Sequence, residues 1–264
     1  MKKKSTKKRK STRKRSTTKL LENTVHSVSQ FASLLKRADK QENILFRGQA
    51  NDWPLLPKVA RLSLKSIPPY NGSRRFTEAR LFDEFKRIAW PLHNNSDLNL
   101  WDILALGQHH GLPTRMMDWT RNPLVALWFA VSRPPTPKNK SDSGIVWIYM
   151  PTDDEFFDPS KRPDDPFSIE RTKVLDPKHI AARIINQSGL FTVRAYYPDH
   201  GGFIPFEENK LRAGELFKVR IPFESFCEIR YELDRYGTNS YSVFLIWTDC
   251  RVTSNLSIHF WRTK

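Results

Sequence analysis

Apolar residues recur every three or four positions in four stretches of the first half of the chain, which is the spacing of an amphipathic helix. The predicted helices are one that Ser27 or Ser29 caps, residues 77–89, residues 98–106, and one that begins at Asn122-Pro123. A capping residue followed by proline favours a helix start, because the amide that proline lacks would have no partner in the first turn. The first half is therefore predicted to be mainly helical.

Runs of β-branched and aromatic residues predict strands, and most of these runs lie in the second half. They cover residues 43–46, 145–149, 189–194, 215–221, 226–231, 241–248 and 257–261. Stretches rich in proline and charge at 134–143 and 153–165 are predicted to be surface loops. Helices followed by strands favour an α+β fold, in which a helical N-terminal half packs on a mostly antiparallel sheet.

The chain opens with a basic tail that has no apolar face. Residues 1–19 contain eleven Lys or Arg and no acid, and they carry most of the formal net charge of +16. Such a segment cannot bury apolar surface, so residues 1–21 are predicted to be disordered and residues 22–264 to form the folded domain. The tail could lie along the phosphate backbone of a nucleic acid without reading its sequence. A solubilising extension is the alternative.

Nothing in the sequence predicts a membrane span or a secreted protein. No apolar stretch approaches the roughly 20 residues that a spanning helix needs, and no apolar segment of a signal peptide follows the basic start. The two cysteines, Cys227 and Cys250, do not resemble the disulfide framework of a small secreted domain. We therefore expect a cytoplasmic protein without membrane association.

Three polar segments interrupt the apolar elements, which is where functional residues usually break the folding pattern. The first is Phe46-Arg47-Gly48-Gln49, with Trp53, Leu55, Pro57 and Arg61 after it. The second runs from Gln108-His109-His110-Gly111 through Arg115 to Asp118-Trp119-Thr120. The third contains Arg183, Gln187, Gly189 and Phe191.

Arg47 and Asp118 are the first candidates for a ligand site. A guanidinium is a planar cation with five donors that suits phosphate or carboxylate, and Gly48 lets the backbone approach a ligand closely. Alternatively, Arg47 only pairs with Asp118 and holds two elements together. Asp118 and either His109 or His110 could exchange protons near neutral pH, although adjacent histidines point in different directions and at most one should face a cleft.

Other features of these segments leave alternatives open. The helix start at Asn122-Pro123 could favour an anion through its amides and dipole. Trp119 could stack on a ligand or belong to the core. Gln187 could aim its amide into the same cleft or close a loop by a hydrogen bond.

Taken together, the three segments resemble the FRG domain family, named for its Phe-Arg-Gly motif, over about residues 25–250. The second segment is the most specific part of the resemblance, because it is a dense mixture of polar and apolar residue types. The resemblance implies the type of domain and does not by itself imply a reaction.

The same layout is similar, more distantly, to that of arginine-type ADP-ribosyltransferases. Phe46-Arg47-Gly48 takes the place of their arginine motif, and Asp118-Trp119-Thr120 takes the place of their hydroxyl-bearing turn. The resemblance implies a fold of that type, NAD as a cofactor, and an effector role in defence or toxin systems. Their third motif supplies a glutamate, and here it falls near Gln187, which carries no charge.

These arguments give one set of site residues and two alternative functions. The set comprises Asp118, Gln187 and His109 as catalytic residues, Arg47, Gly48, Gln49, Arg115, Trp119 and Thr120 as cofactor-binding residues, and no metal ligands. One alternative is a non-catalytic module that associates with nucleic acid through the basic tail. The other is a Mg²⁺-dependent nuclease that uses Asp118 with a second carboxylate. The sequence contains no P-loop, Rossmann or α/β-hydrolase motif.

Overall fold

The structure, a computed structural model, describes most of the chain between residues 22 and 244. The described stretches are 22–36, 43–63, 74–89, 98–133, 143–158, 162–176, 189–200 and 202–244. The predictions for the tail 1–21, for Gln187, for residues 134–142 and 245–248 and for the strand 257–261 lie outside the described residues. In the described stretches, no helix is long and apolar enough to cross a lipid bilayer.

Within these stretches the chain forms seven strands and six α-helices. The strands are β1 (Glu22–Thr24), β2 (Leu45–Gln49), β3 (Met116–Thr120), β4 (Ser143–Met150), β5 (Lys173–Leu175), β6 (Gly189–Val193) and β7 (Glu215–Pro222). The helices are α1 (Val28–Leu35), α2 (Arg74–Ala89), α3 (Leu100–His109), α4 (Pro123–Ala130), α5 (Phe226–Arg235) and α6 (Ser240–Phe244). A short 3-10 helix, Lys58–Arg61, follows β2.

The seven strands form one sheet in the order β1-β7-β4-β2-β3-β6-β5. Strands β1 and β7 run parallel, and the other neighbouring pairs are antiparallel. Strand β2 pairs with β4 at five positions and β3 pairs with β6 at five, whereas β2 and β3 register only where Phe46 lies opposite Thr120. The two halves of the sheet therefore meet at the centre through one short contact.

Three apolar clusters hold the fold together. Helices α1, α4 and α5 cover one face of β2, β4 and β7, with Phe31 and Leu127 among the buried side chains. Helices α2 and α3 cover β3, β5 and β6, with Phe82 and Leu104 among them. A third cluster around Trp147 packs connecting segments onto the central strands. The predicted α+β class and the mostly antiparallel sheet are confirmed.

Two helix starts that the capping residues predict are confirmed. The Ser27 side chain accepts a hydrogen bond from the backbone N–H of Gln30 at 3.1 Å and caps α1. The Asn122 side chain accepts from the backbone N–H groups of Leu124 and Val125, at 2.9 and 3.4 Å, and caps α4. In each case the side chain satisfies an amide that the first turn leaves without a partner.

The second half contains more helix than the sequence predicts. Residues 226–231 form the first part of α5, so their assignment to a strand is wrong. The buried residues of α5 are Phe226, Ile229 and Leu233, and intervals of three and four residues place them on one helical face. Residues 241–244, predicted to begin a strand, lie in α6 instead. Asn239 accepts there from the amides of Tyr241 and Ser242.

The first half, in turn, supplies two central strands. Strand β2 extends the predicted strand 43–46 to Gln49, so Arg47 and Gly48 lie within a strand instead of following it. Strand β3 contains Asp118 and Thr120, which the sequence places only in a polar run before a helix. The alternation of Met117 and Trp119 with these polar residues is the strand signal, because side chains on a strand alternate between faces.

Gly48 lies where the backbones of β2 and α4 come close together. A Cβ at this position would lie 1.9 Å from the carbonyl oxygen of Ala126 and 2.8 Å from the amide nitrogen of Ala130. The sequence predicts that Gly48 lets a ligand approach the backbone. In the structure, the close approach that Gly48 permits is between β2 and α4.

We expect Gly48→Ala to lower the free energy of unfolding by about 1–3 kcal/mol, because the crowding involves backbone atoms that cannot rotate away. Urea denaturation of the two purified proteins would measure the difference. A change within about 0.5 kcal/mol, which is usual for surface substitutions, would contradict this account of Gly48.

Candidate functional site

A cleft opens at the centre of the sheet, beside the single registered pair between β2 and β3. Its cavity volume is about 300 Å³. Its polar lining consists of Arg47, Gln108, His109, Asp118 and Thr120, and its aromatic lining includes Phe46, Phe129 and Phe191. Concave sites with mostly apolar walls and a few convergent polar groups are typical of small-molecule binding.

Arg47 belongs to β2, and its side chain reaches β3. Its Nη1 donates to the backbone carbonyl of Asp118 at 2.6 Å and lies 3.8 Å from Oδ2 of the Asp118 carboxylate. Its Nε is buried and has no hydrogen-bond partner among the described residues. Burial lowers the pKa of Arg47, Asp118 opposes this effect, and the nearby charge of Arg61 adds to it. Arg47 therefore joins the two strands, lines the cleft, and keeps one buried donor without a partner among the described residues.

Asp118 presents its carboxylate to the cleft, with 63% of the side chain exposed. The side-chain amide nitrogen of Gln108 lies 3.4 Å from both carboxylate oxygens. The Thr114 hydroxyl accepts from the amide of Met116 and donates to the side-chain oxygen of Gln108. Because the side-chain oxygen of Gln108 accepts that hydrogen bond, its NH₂ group is held toward Asp118.

Thr120 lines the cleft, but its hydroxyl oxygen also serves the backbone. It accepts from the amide of Asn122 at 3.0 Å and so supports the turn from β3 into α4. The backbone amides of Leu124 and Val125, in the first turn of α4, already donate to the Asn122 side chain. The anion site expected at this helix start is therefore weakened by its own cap.

The histidine pair divides as the sequence predicts. His109 ends α3 and lines the cleft, whereas His110 packs toward Phe85 with a ring separation of 6.4 Å. The two imidazole rings lie edge to face, 5.1 Å apart. His109 is therefore the member of the pair that can reach a ligand in the cleft.

Arg115 does not reach the cleft. Its side chain is fully buried, and its Nε and Nη2 lie 3.0 and 2.9 Å from Oε2 of Glu78 on α2. The backbone amide of Arg115 also donates to Glu78, at 2.6 Å. The ring of Phe167 lies 4.8 Å from the guanidinium. This placement does not support the cofactor-binding role predicted for Arg115, because its guanidinium is already paired with the Glu78 carboxylate.

Two other predicted contacts also lie in the core. The Trp119 indole donates to the Thr192 hydroxyl at 2.9 Å and packs against Tyr149. Trp119 also borders the cleft, but its indole nitrogen is already bonded within the core. The side-chain oxygen of Gln49 accepts from the indole of Trp147 at 2.9 Å, and Gln49 is absent from the described lining. Both side chains fill the cluster around Trp147, and of the two alternatives for Trp119 the structure has the core.

Several residues at the site do not follow from the sequence argument. Gln108 and Thr114 lie in the second polar segment, but only the fold shows that they hold Asp118. Phe129 comes from α4, and Phe191, which belongs to the third segment, comes from β6; an apolar side chain by itself predicts only core. Lys58 lies in a second groove beside Arg47, together with Arg61, which the first polar segment contains without an assigned role. Gln187, the predicted third catalytic residue, lies outside the described residues.

No metal centre forms in the described part of the chain. No group of three or more His, Cys, Asp or Glu residues there is arranged to hold a metal ion. Asp118 is also the one carboxylate among the described residues of the cleft lining. The nuclease alternative therefore gains no second carboxylate from these residues.

Fold and site together define an α+β domain with a small polar cleft at the middle of a mostly antiparallel sheet. The FRG domain model matches residues 42–139, and the chain therefore contains an FRG domain. Every described residue of the cleft lining except Phe191 falls within that match. No curated protein and no solved structure matches the chain significantly.

Proposed function

We propose that the central cleft binds a nucleotide, with NAD as the first candidate. The observation that supports this most is Arg47, which lines the cleft and has a buried Nε without a hydrogen-bond partner among the described residues. A buried polar group without a partner costs about 1–3 kcal/mol, and an anionic ligand would remove that cost. A guanidinium suits phosphate because its donors lie in one plane and can form two parallel hydrogen bonds.

The aromatic wall of the cleft is suited to the ring portion of such a ligand. Phe46, Phe129 and Phe191 line the cleft together with its polar residues. A cavity of about 300 Å³ is at the lower end of the range for small-molecule sites. A dinucleotide would therefore extend beyond the cleft, with part of it in adjoining space.

The same cleft contains groups suited to ADP-ribosyl transfer. Bound NAD would supply an ADP-ribosyl group, as its glycosidic bond to nicotinamide breaks and an acceptor takes its place. The Asp118 carboxylate, oriented by Gln108, would stabilise the positive charge that develops on the ribose. His109, which lines the cleft, would accept the proton that the acceptor loses. This activity fits the effector role in defence or toxin systems that the resemblance implies.

We expect the purified protein to bind NAD and to release nicotinamide. Asp118→Asn should keep NAD affinity within a few-fold while slowing nicotinamide release about 100-fold or more, because removing one electrostatic stabiliser usually costs 10²–10³ in rate. Calorimetry would measure binding, and chromatography of the products would measure release. Asp176→Asn is the matched control, since Asp176 pairs with Arg121 at the surface.

The outcomes separate the candidate functions. Failure to bind NAD, ADP-ribose or other nucleotides would remove the nucleotide proposal. NAD binding without nicotinamide release in the presence of lysate proteins or nucleic acid would remove the transferase proposal alone. Deletion of residues 2–19 should leave NAD affinity unchanged, whereas affinity for nucleic acid through the tail should disappear and should fall steeply with salt.

A further inference from the structure

A second groove adjoins the central cleft and shares three residues with it. Arg47, Gln108 and Asp118 line both, so the two spaces meet at Arg47. The second groove has a cavity volume of about 190 Å³, and its lining includes Lys58 and Arg61 of the 3-10 helix. We call it the side groove.

Positive charge dominates the side groove. Its lining includes three cations, Arg47, Lys58 and Arg61, and one carboxylate, Asp118. Within the described residues no carboxylate oxygen lies within 4.0 Å of the Arg61 guanidinium. Most of the remaining lining is apolar, and an apolar wall strengthens the interaction between a cation and an anion because it excludes water.

The backbone fixes one of these cations in place. Gly111 follows the end of α3 with a φ of 89°, a conformation that glycine adopts without strain. Its carbonyl accepts from Nζ of Lys58 at 2.6 Å. An ammonium carries three donors, so this bond holds Lys58 at the groove and leaves two donors for another partner.

The three cations also repel one another. Burial lowers the pKa of Lys58, and the charge of Arg61 lowers it further. The charge of Arg61 likewise contributes to the lowered pKa of Arg47, after burial. Bringing like charges together is unfavourable, and an anion between them would relieve the repulsion.

We propose that the side groove binds the phosphate groups of the ligand whose ring portion occupies the central cleft. This inference rests on the nucleotide-binding function proposed above and assigns the ligand class as nucleoside diphosphates and dinucleotides. Arg47 lies where the two spaces meet and contacts the phosphate nearest the ribose, while Lys58 and Arg61 contact the next one. A cavity of about 190 Å³ accommodates two linked phosphates. The three cations of the groove suit the several negative charges of two phosphates better than the single charge of a carboxylate.

Inorganic pyrophosphate is the probe that tests the groove without a nucleotide. We expect it to bind the wild-type protein and to compete with NAD in calorimetric titrations. Arg61→Ala should weaken pyrophosphate binding about tenfold, and Lys58→Met should have a similar effect, because each removes one charge-assisted contact. Arg61 lies at the surface, so the variant is expected to fold, and its melting temperature checks this.

Arg121→Ala is the matched control for loss of one surface arginine. Arg121 pairs with Asp176, and it is absent from the described linings of the cleft and the groove. This variant should bind pyrophosphate within twofold of wild type, which separates a local contact from a general effect of net charge.

The results distinguish failure of this inference from failure of the proposed function. NAD binding that is unchanged in Arg61→Ala and Lys58→Met would overturn the role of the side groove and leave nucleotide binding intact. Pyrophosphate binding that depends on both residues, in a protein that binds no nucleotide, would support the groove as a phosphate site and refute the proposed function. Equal pyrophosphate affinities in all variants would overturn the inference.

Discussion

Replacing Arg47 with alanine is expected to weaken NAD binding about 100-fold. A hydrogen bond to a charged group contributes about 1.5–3 kcal/mol, and in the proposed complex Arg47 donates two of them to a phosphate. A loss of roughly 3 kcal/mol corresponds to about 100-fold in affinity. Calorimetric titration of NAD into the wild-type and variant proteins would measure the change.

A lysine at the same position separates charge from geometry. Arg47→Lys keeps a positive charge but loses the planar pair of donors, so we expect it to recover only part of the affinity. Because Nη1 of Arg47 also bonds to the carbonyl of Asp118, the melting temperature of each variant must be measured as well. Full NAD affinity in a folded Arg47→Ala protein would show that Arg47 only joins β2 to β3.

Local sequence signals predict the parts of this fold that depend on neighbouring residues. Ser27 and Asn122 cap helices because their side chains reach amides two or three residues away. Residues 226–231 illustrate the limit of this approach. Their apolar and aromatic content suits a strand, but the buried residues Phe226, Ile229 and Leu233 follow the spacing of a helix. A window of six residues is too short to separate the helical period from the strand period.

The candidate site is predictable only where its chemistry is visible in the residue types. The convergence of Arg47 and Asp118 follows from the polar segments that contain them, and the structure places the two side chains together. Arg115 has the same visible charge, yet its partner Glu78 lies 37 residues earlier in the chain, and no local pattern reveals that pairing. Arg61 belongs to the same polar segment as Arg47, but the proline-rich stretch between them gives no sign that Lys58 and Arg61 face Arg47.

The buried pair of Glu78 and Arg115 is expected to be the most sensitive point in the fold. Both side chains are almost completely inaccessible, at 1% and 0% exposure, and they connect α2 to the start of β3. Removing one partner leaves the other charge buried without compensation, which usually costs about 3–5 kcal/mol. We expect Arg115→Met to lower the free energy of unfolding by this amount, as measured by urea denaturation.

The dependence of this loss on pH provides a test that a simple packing defect would not pass. Burial raises the pKa of Glu78 in the wild-type protein, and Arg115 opposes that rise. In Arg115→Met the opposing charge is absent, so the folded state should hold the Glu78 proton to higher pH than the unfolded state does. The variant's stability is then fully present below the ordinary glutamate pKa and falls as pH rises above it. The difference in stability from wild type should therefore be smaller at pH 5 than at pH 8.

A double variant provides the control. Glu78→Leu combined with Arg115→Met should recover much of the lost stability, because neither charge remains. Equal losses at both pH values, with no recovery in the double variant, would show that the guanidinium acts by filling space.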